Sequence, residues 1–290
     1  FKVMKAYLSL IKFAHTVFAL PFALLAFFIG LKTLDIQINW LVFLYILLCM
    51  VFARSAAMAF NRYVDRHIDA KNKRTVIREI PSGAIKPLSA LTMVIVMSAA
   101  FMVTAFLINP LCFYLSPLAL LVILGYSYTK RFTWLCHFIL GLGLGLAPVG
   151  AYIAVTGKFD FLPVMYGIMV MLWVSGFDIL YALQDEEFDR QNGLHSVPAR
   201  FGQEQAKKIA MTIHSLCAVM LFVITWYQSQ LLPSFGILHW IGALGFAGLL
   251  FWQHRLVFKY NLEKINQAFF ETNGIASICF GTAVIVDLLS

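Results

Sequence analysis

The chain has 290 residues, of which 61% are hydrophobic and only 12% charged, and its mean hydropathy is +0.82. At about 150 residues per domain this length would suggest two soluble domains, but so little polar surface could not cover two water-facing globules. Disorder, collagen, coiled coil and a nucleic-acid-binding domain are excluded, and the formal charge of +8 has to be read loop by loop.

In chain order, apolar runs fall at roughly 10–31, 38–60, 87–108, 111–129, 134–156, 162–184, 206–230, 233–254 and 266–289. Each is long enough to cross a bilayer, so the expected fold is all-α and polytopic, with about nine transmembrane helices; the run length excludes a β-barrel. The first run follows Lys2, Lys5 and Lys12 and is as long as a full span, which reads as a span rather than a cleavable signal. Pro110, Pro163 and Pro233 stand near helix starts, whereas Pro21, Pro117 and Pro148 fall inside spans and are expected to kink them. All five cysteines lie in apolar segments without metal-site or disulfide spacing and read as small core hydrophobes. Gly141-x-Gly143-x-Gly145 lacks a preceding strand, so it reads as close helix packing rather than a dinucleotide loop.

Nearly all 22 Lys and Arg residues fall on one set of alternating loops, and the other set holds only Lys32 and Lys158. Positive residues near short loops mark the cytoplasmic side, so the N-terminus is expected to be cytoplasmic. Two long cytoplasmic loops, about 61–86 and 185–205, carry most of the acidic residues and are expected to cap a single transmembrane domain spanning 1–290.

The second span ends in a string with Arg54, Asn61, Asp65 and Asp69 spaced 7, 4 and 4 apart, which helical geometry places on one face. The sixth ends in Asp178, Tyr181, Asp185 and Asp189, again with steps of 7 and 4 between the aspartates. Stacked aspartates repel at pH 7, so a positive partner is expected between them. Mg²⁺ fits a carboxylate set that lacks thiolate and would bridge to a diphosphate, with Asp65, Asp69, Asp185 and Asp189 as ligands. A lone Asp-x-x-x-Asp is usually a solvated face, but two strings, with Arg54 and Asp178 inside their spans, point to function.

These residues resemble the UbiA superfamily of intramembrane aromatic prenyltransferases. Asn61-x-x-x-Asp65-x-x-x-Asp69 is similar to its first aspartate-rich motif and Tyr181-x-x-x-Asp185-x-x-x-Asp189 to its second. Arg74 through Gly83, containing Arg78-Glu-Ile-Pro-Ser-Gly, is similar to its Arg-x-Leu-Pro-Ser-Gly segment, and Tyr126-x-x-x-Lys130-Arg131 to the tyrosine and basic pair ending the fourth helix. Ser196 through Gly202 is similar to the loop after the second motif, which would help cap a diphosphate; no nucleophile elbow accompanies Ser196, His195 and Asp189, so a hydrolytic triad is rejected.

The resemblance implies a polyprenyl diphosphate held by Mg²⁺ between the strings and an aromatic acceptor deeper in a central cavity. Arg74, Arg78, Tyr126, Lys130, Arg131, Tyr181 and Asn61 would bind the substrate, and the cations would neutralise the leaving diphosphate. Arg54 would take the acceptor's carboxylate or, alternatively, pair with Asp178; Asp178 or Asp185 would accept the acceptor's proton. Where hydroxybenzoate enzymes carry an arginine in the first helix, this chain has Ile11 through Ala23 with His15, which either replaces that arginine or bonds a neighbouring helix. That stretch is similar to a branch some of whose members act on a dihydroxynaphthoate. The implied activity is prenylation of an aromatic acid of the 4-hydroxybenzoate type in ubiquinone or menaquinone synthesis, with 1,4-dihydroxy-6-naphthoate in the futalosine route as the alternative acceptor. Paired repeats with buried charge also mark secondary transporters, the competing reading. Expected partners are the two substrates and membrane lipid, with no nucleic acid and no obligate protein partner.

Overall fold

The computed structural model describes residues 7, 9–10, 18–232, 234–260, 265 and 267–290. It is all-helical, with no strand among the described residues. In order come α1 (Leu20–Leu34), α2 (Trp40–Asp69), α3 (Pro87–Ile108), α4 (Pro110–Thr129), α5 (Cys136–Thr156) and α6 (Phe161–Ala182). A 3₁₀ turn (Leu183–Asp185), α7 (Glu186–Gln191), α8 (Val197–Phe201), α9 (Gln203–Leu231), α10 (Leu238–Tyr260), a π turn (Gln267–Thr272) and α11 (Asn273–Leu289) complete the order. Eight described helices are long and apolar enough to cross a membrane; Leu20–Leu34 is apolar but shorter.

Helix starts reflect local chemistry. The Asn39 side chain accepts hydrogen bonds from the amides of Leu41 and Val42 and caps α2. Asp160 caps α6 through the Phe161 amide, and Asn109 receives the Cys112 amide beside Pro110, the first residue of α4. Pro21 is the second residue of α1, where a missing amide donor costs nothing. The expectation of a kink there is corrected: the described helix begins at Leu20 instead of running through the proline. Pro117 and Pro148 do lie inside α4 and α5, and Pro233 lies outside the described residues.

The chain forms two compact units. The first comprises the described residues before Thr16 together with 39–128, and thus α2, α3 and α4. Its small core joins Leu10, Ala59, Ile80, Ile85, Ala90 and Val94, so the segment after α2 is fastened by Ile80 and Ile85. At the ends of α2 and α4 remote from Asp69, Trp40 and Tyr114 stand exposed, as amphipathic aromatics do at a membrane interface.

The second unit holds 18–38 and 129–290. Trp173 of α6 is fully buried among Phe18, Phe22, Phe177 and Phe246, and its indole N–H donates to Asn273 Oδ1 at 2.9 Å. Helices α5 and α6 meet backbone to backbone: a Cβ at Gly145 would collide with the Gly167 carbonyl, and one at Gly141 with the Met171 carbonyl. Gly141 and Gly145 therefore serve close packing, the role expected of that glycine series.

Candidate active site

In the first unit α2 continues nine residues beyond the expected end of its span, through Asp69. The polar segment expected as a loop from 61 therefore begins as helix, and the loop proper starts at Ala70. The apolar run ends where the chain leaves lipid, but nothing after it breaks a helix until residue 70. Arg54, Asn61, Asp65 and Asp69 thus stand on one continuous helix, as their spacing requires.

Neighbouring residues fix these side chains. Arg62, buried beside the string, donates from Nη1 to Asn61 Oδ1 at 3.1 Å, which leaves the Asn61 amide nitrogen to donate to Asp65 Oδ2 at 2.9 Å. Arg62 Nε lies 3.6 Å from Glu79 Oε2, and Glu79 accepts from the Ser9 hydroxyl at 2.6 Å. Arg78 Nη1 donates to Asp69 Oδ1 at 2.7 Å, and the Thr75 hydroxyl donates to the Asp69 carbonyl at 3.1 Å. The loop thereby folds back on the string. Tyr126 of α4 lies within electrostatic reach of Arg54 and Arg62, and Arg78 within reach of Arg62. Arg74 is half-buried, its amide bonded to Asn72 Oδ1 at 2.9 Å.

In the second unit the string is not one helix. Asp178 belongs to α6, Asp185 ends the 3₁₀ turn and Asp189 lies in α7. A turn of three residues rotates α7 away from the face expected of an unbroken α-helix. That expectation is corrected, although Asp185 and Asp189 are both buried.

Asp189 pairs with Lys130 Nζ at 2.8 Å and accepts from the Ser196 hydroxyl at 3.0 Å. Burial pulls the Lys130 ammonium down, but the Asp189 carboxylate, its hydrogen bond and Asp185 outweigh this and hold it above the ordinary lysine value. Ser196 also caps α8 by accepting the Ala199 amide, and the His195 amide donates to the Lys130 carbonyl at 2.7 Å. A serine that donates to a buried carboxylate is a structural tie, in keeping with rejection of a triad. Asp178 Oδ2 lies 2.7 Å from His137 Nδ1. Tyr181 is half-buried, with its ring edge on Phe270, and Arg131 is half-buried beside Lys130. His15 lies outside the described residues.

Three residues here escape the sequence reading: Arg62, Glu79 and His137. Buried ionisable groups in an apolar chain seldom lack partners, and that rule alone would have marked them.

The donor chemistry suits Mg²⁺. Asp69 Oδ2 is buried without a hydrogen-bond partner among the described residues, and the strings offer Asp65 and Asp69 on one side and Asp185 and Asp189 on the other, with no thiolate. Among the described residues no three His, Cys, Asp or Glu side chains form a protein cage. Mg²⁺ does not need one, because it keeps several waters and takes substrate phosphate oxygens.

The UbiA prenyltransferase family matches residues 19–275, which include both strings. The chain belongs to this family. As a UbiA-family prenyltransferase it is an integral membrane enzyme, which replaces the transporter reading. It is 30% identical over 242 residues to 4-hydroxybenzoate octaprenyltransferase of Aliivibrio fischeri, covering 83% of this chain and 82% of that one. The Aeromonas hydrophila enzyme of the same name is 28% identical over 232 residues, covering 80% and 79%. The apo structure of a UbiA homolog from Aeropyrum pernix superposes with a TM-score of 0.82 at 29% identity, over 94% of this chain and 98% of that one. A UbiA homolog from Archaeoglobus fulgidus, solved with DMAPP and Mg²⁺, shares the fold at a TM-score of 0.73 and 20% identity, over 98% and 99%.

Proposed function

We propose that this UbiA-family enzyme transfers a polyprenyl group from its diphosphate to an aromatic acid of the 4-hydroxybenzoate type, with Mg²⁺, in quinone synthesis. The observation that carries the reading is that each unit holds a pair of motif aspartates with a cation already on the outer one: Arg78 on Asp69 and Lys130 on Asp189. The names of the relatives in Aliivibrio and Aeromonas support the acceptor class.

Asp65 and Asp69, with Asp185 and Asp189, would hold Mg²⁺. When bound, the ion would screen the diphosphate and stabilise charge gathering on it. Arg78, Lys130 and Arg131, with Arg74, Tyr126 and Tyr181, bind the diphosphate and offset the charge left when its C–O bond to the prenyl carbon breaks. The bonding electrons leave with the diphosphate. Asn61, its amide orientation set by Arg62, presents N–H to Asp65 and keeps that carboxylate in place.

Arg54, whose Nε is buried without a hydrogen-bond partner among the described residues, offers a charged donor pair to the acceptor's carboxylate. The ring carbon attacks the allylic cation, and its proton passes to a carboxylate, Asp178 or Asp185. Aromatic faces stabilise the cation and a dry site prevents its capture by water. The distribution of basic residues over the loops supports a mouth on the cytoplasmic side.

The test is transfer from a radiolabelled polyprenyl diphosphate in liposomes with Mg²⁺, offering 4-hydroxybenzoate and 1,4-dihydroxy-6-naphthoate separately. Labelled 4-hydroxybenzoate product is expected. Product with the naphthoate alone would move the enzyme to the other quinone route, and no product with either acceptor would refute the acceptor class.

A further inference from the structure

We propose that His137 is a positioning residue that holds Asp178 in one orientation, tying it through the Val197 amide to the turn that fastens Asp189. The inference rests on the transfer reading above. It starts from one donor that has no choice: the Val197 amide N–H donates to His137 Nε2 at 3.2 Å. An amide nitrogen cannot accept, so Nε2 carries the lone pair and the ring proton sits on Nδ1. Nδ1–H then donates to Asp178 Oδ2 at 2.7 Å. A ring that accepts at Nε2 is neutral, and its one N–H then points to the Asp178 carboxylate. Turning the ring over would put carbon against both partners, so the pairing also fixes the ring orientation.

The surroundings hold this arrangement. The His137 side chain is 3% exposed, whereas that of Asp178 is 25% exposed, so a buried imidazole grips Oδ2 of a carboxylate that is itself partly open. The Ser175 hydroxyl, which donates to the Met171 carbonyl at 2.6 Å, also lies 3.3 Å from the His137 carbonyl, which sets the start of α5 beside α6 one turn before Asp178. Val197 is the first residue of α8, where amides have no acceptor within their own helix. His137 supplies one acceptor there and Ser196 supplies another. Because the Ser196 hydroxyl also donates to Asp189, two consecutive residues of one turn address the deep and the outer carboxylate.

The consequence for transfer is a division of labour. Asp178 meets positive charge or a departing ring proton, while His137 stays neutral, its Nε2 occupied by Val197. The proton is not relayed into the imidazole. His137 prevents the carboxylate from rotating, a pre-organising role that touches no reacting atom.

Two amide variants separate its two bonds. His137→Asn places an N–H donor where Nδ1 is and loses the reach to Val197; His137→Gln places its amide where Nε2 is and loses the donor to Asp178. With a polyprenyl diphosphate, 4-hydroxybenzoate and Mg²⁺ in nanodiscs, kcat of His137→Asn is expected within about 3-fold of the parent. In His137→Gln and His137→Ala it falls about 10- to 100-fold, the worth of a hydrogen bond to a charged group, while KM for the diphosphate moves less than about 2-fold.

Independently, the ¹⁵N spectrum of histidine-labelled protein, with His137 assigned by its loss in His137→Asn, is expected to show a protonated Nδ1 and a bare Nε2. An Nε2–H tautomer or an imidazolium overturns the proposal. So does His137→Gln matching or exceeding His137→Asn, or an unchanged kcat in His137→Ala. A parent chain that transfers to neither acceptor overturns the transfer reading, and with it the catalytic consequence of His137, while the spectrum still decides the pairing.

Discussion

Removing Arg78 is expected to expose how the first string balances its charge. The side chain of Asp69 is 5% exposed and that of Arg78 25%. In Arg78→Ala, Asp69 Oδ1 loses its 2.7 Å partner while Oδ2 already has none. Stripping one partner from a buried pair costs about 3–5 kcal/mol, and water reaching the vacated, quarter-exposed site brings this to about 2–3 kcal/mol. For a chain of this size that corresponds to a melting temperature about 3–5 °C lower. Because Asp65 and Asp69 are the residues that would take Mg²⁺, millimolar Mg²⁺ is expected to restore about half of the loss by supplying the missing positive charge. Arg78→Lys is expected to lose less than half as much as Arg78→Ala. The assay is thermal unfolding in detergent followed by size-exclusion chromatography, with and without the ion. A melting temperature unchanged in Arg78→Ala, or a loss that Mg²⁺ leaves untouched, would refute the reasoning.

For Lys130 the sign runs with pH. Its value in the folded protein lies above the ordinary 10.5, so the stability it adds is complete below that value and is lost as pH rises through the folded one. The melting-temperature gap between the parent and Lys130→Met is therefore expected to stay constant between about pH 7 and about pH 9.5 and to close only at higher pH. A gap that closes by pH 9 would show the ammonium to be held below its ordinary range. Gly145→Leu is expected to abolish the folded monodisperse peak, because any side chain there meets the Gly167 carbonyl; a normal elution profile would contradict the backbone contact. Arg62→Gln frees the Asn61 amide and strips buried Glu79 of its cation, so it is expected to lower kcat about 10-fold in the transfer assay and to lower the melting temperature as well; unchanged kcat would remove Arg62 from the site.

The parts of the site legible in the sequence are those joined by helical repeats. Asn61, Asp65 and Asp69 step by four, and α2 keeps that period to its end, so a short-range rule sufficed. The same rule fails on the second string because the 3₁₀ turn at Leu183–Asp185 intervenes, and no glycine or proline announces it. Long-range partners left no periodic trace: His137 meets Asp178 41 residues away and the Val197 amide 60 residues away. Arg78 and Lys130 were legible as cations but not as partners of Asp69 and Asp189. That pairing depends on the loop after α2 folding back through Thr75, Ile80 and Ile85, and on the turn at 195–197 being tied to the Lys130 carbonyl. Eight of the nine expected spans match described helices long enough to cross a membrane, and these were legible from hydropathy alone, since a lipid-facing helix has only one composition available.

The central claim is that the carboxylates of both units serve one Mg²⁺-dependent transfer. The most direct measurement is the initial rate of labelled polyprenyl transfer to 4-hydroxybenzoate by the parent chain, Asp65→Ala and Asp185→Ala, each with Mg²⁺ and with chelator. The account predicts product from the parent with Mg²⁺ alone, and a loss of at least about 100-fold in either variant. Transfer that persists in chelator, or that survives the loss of either aspartate, would contradict it.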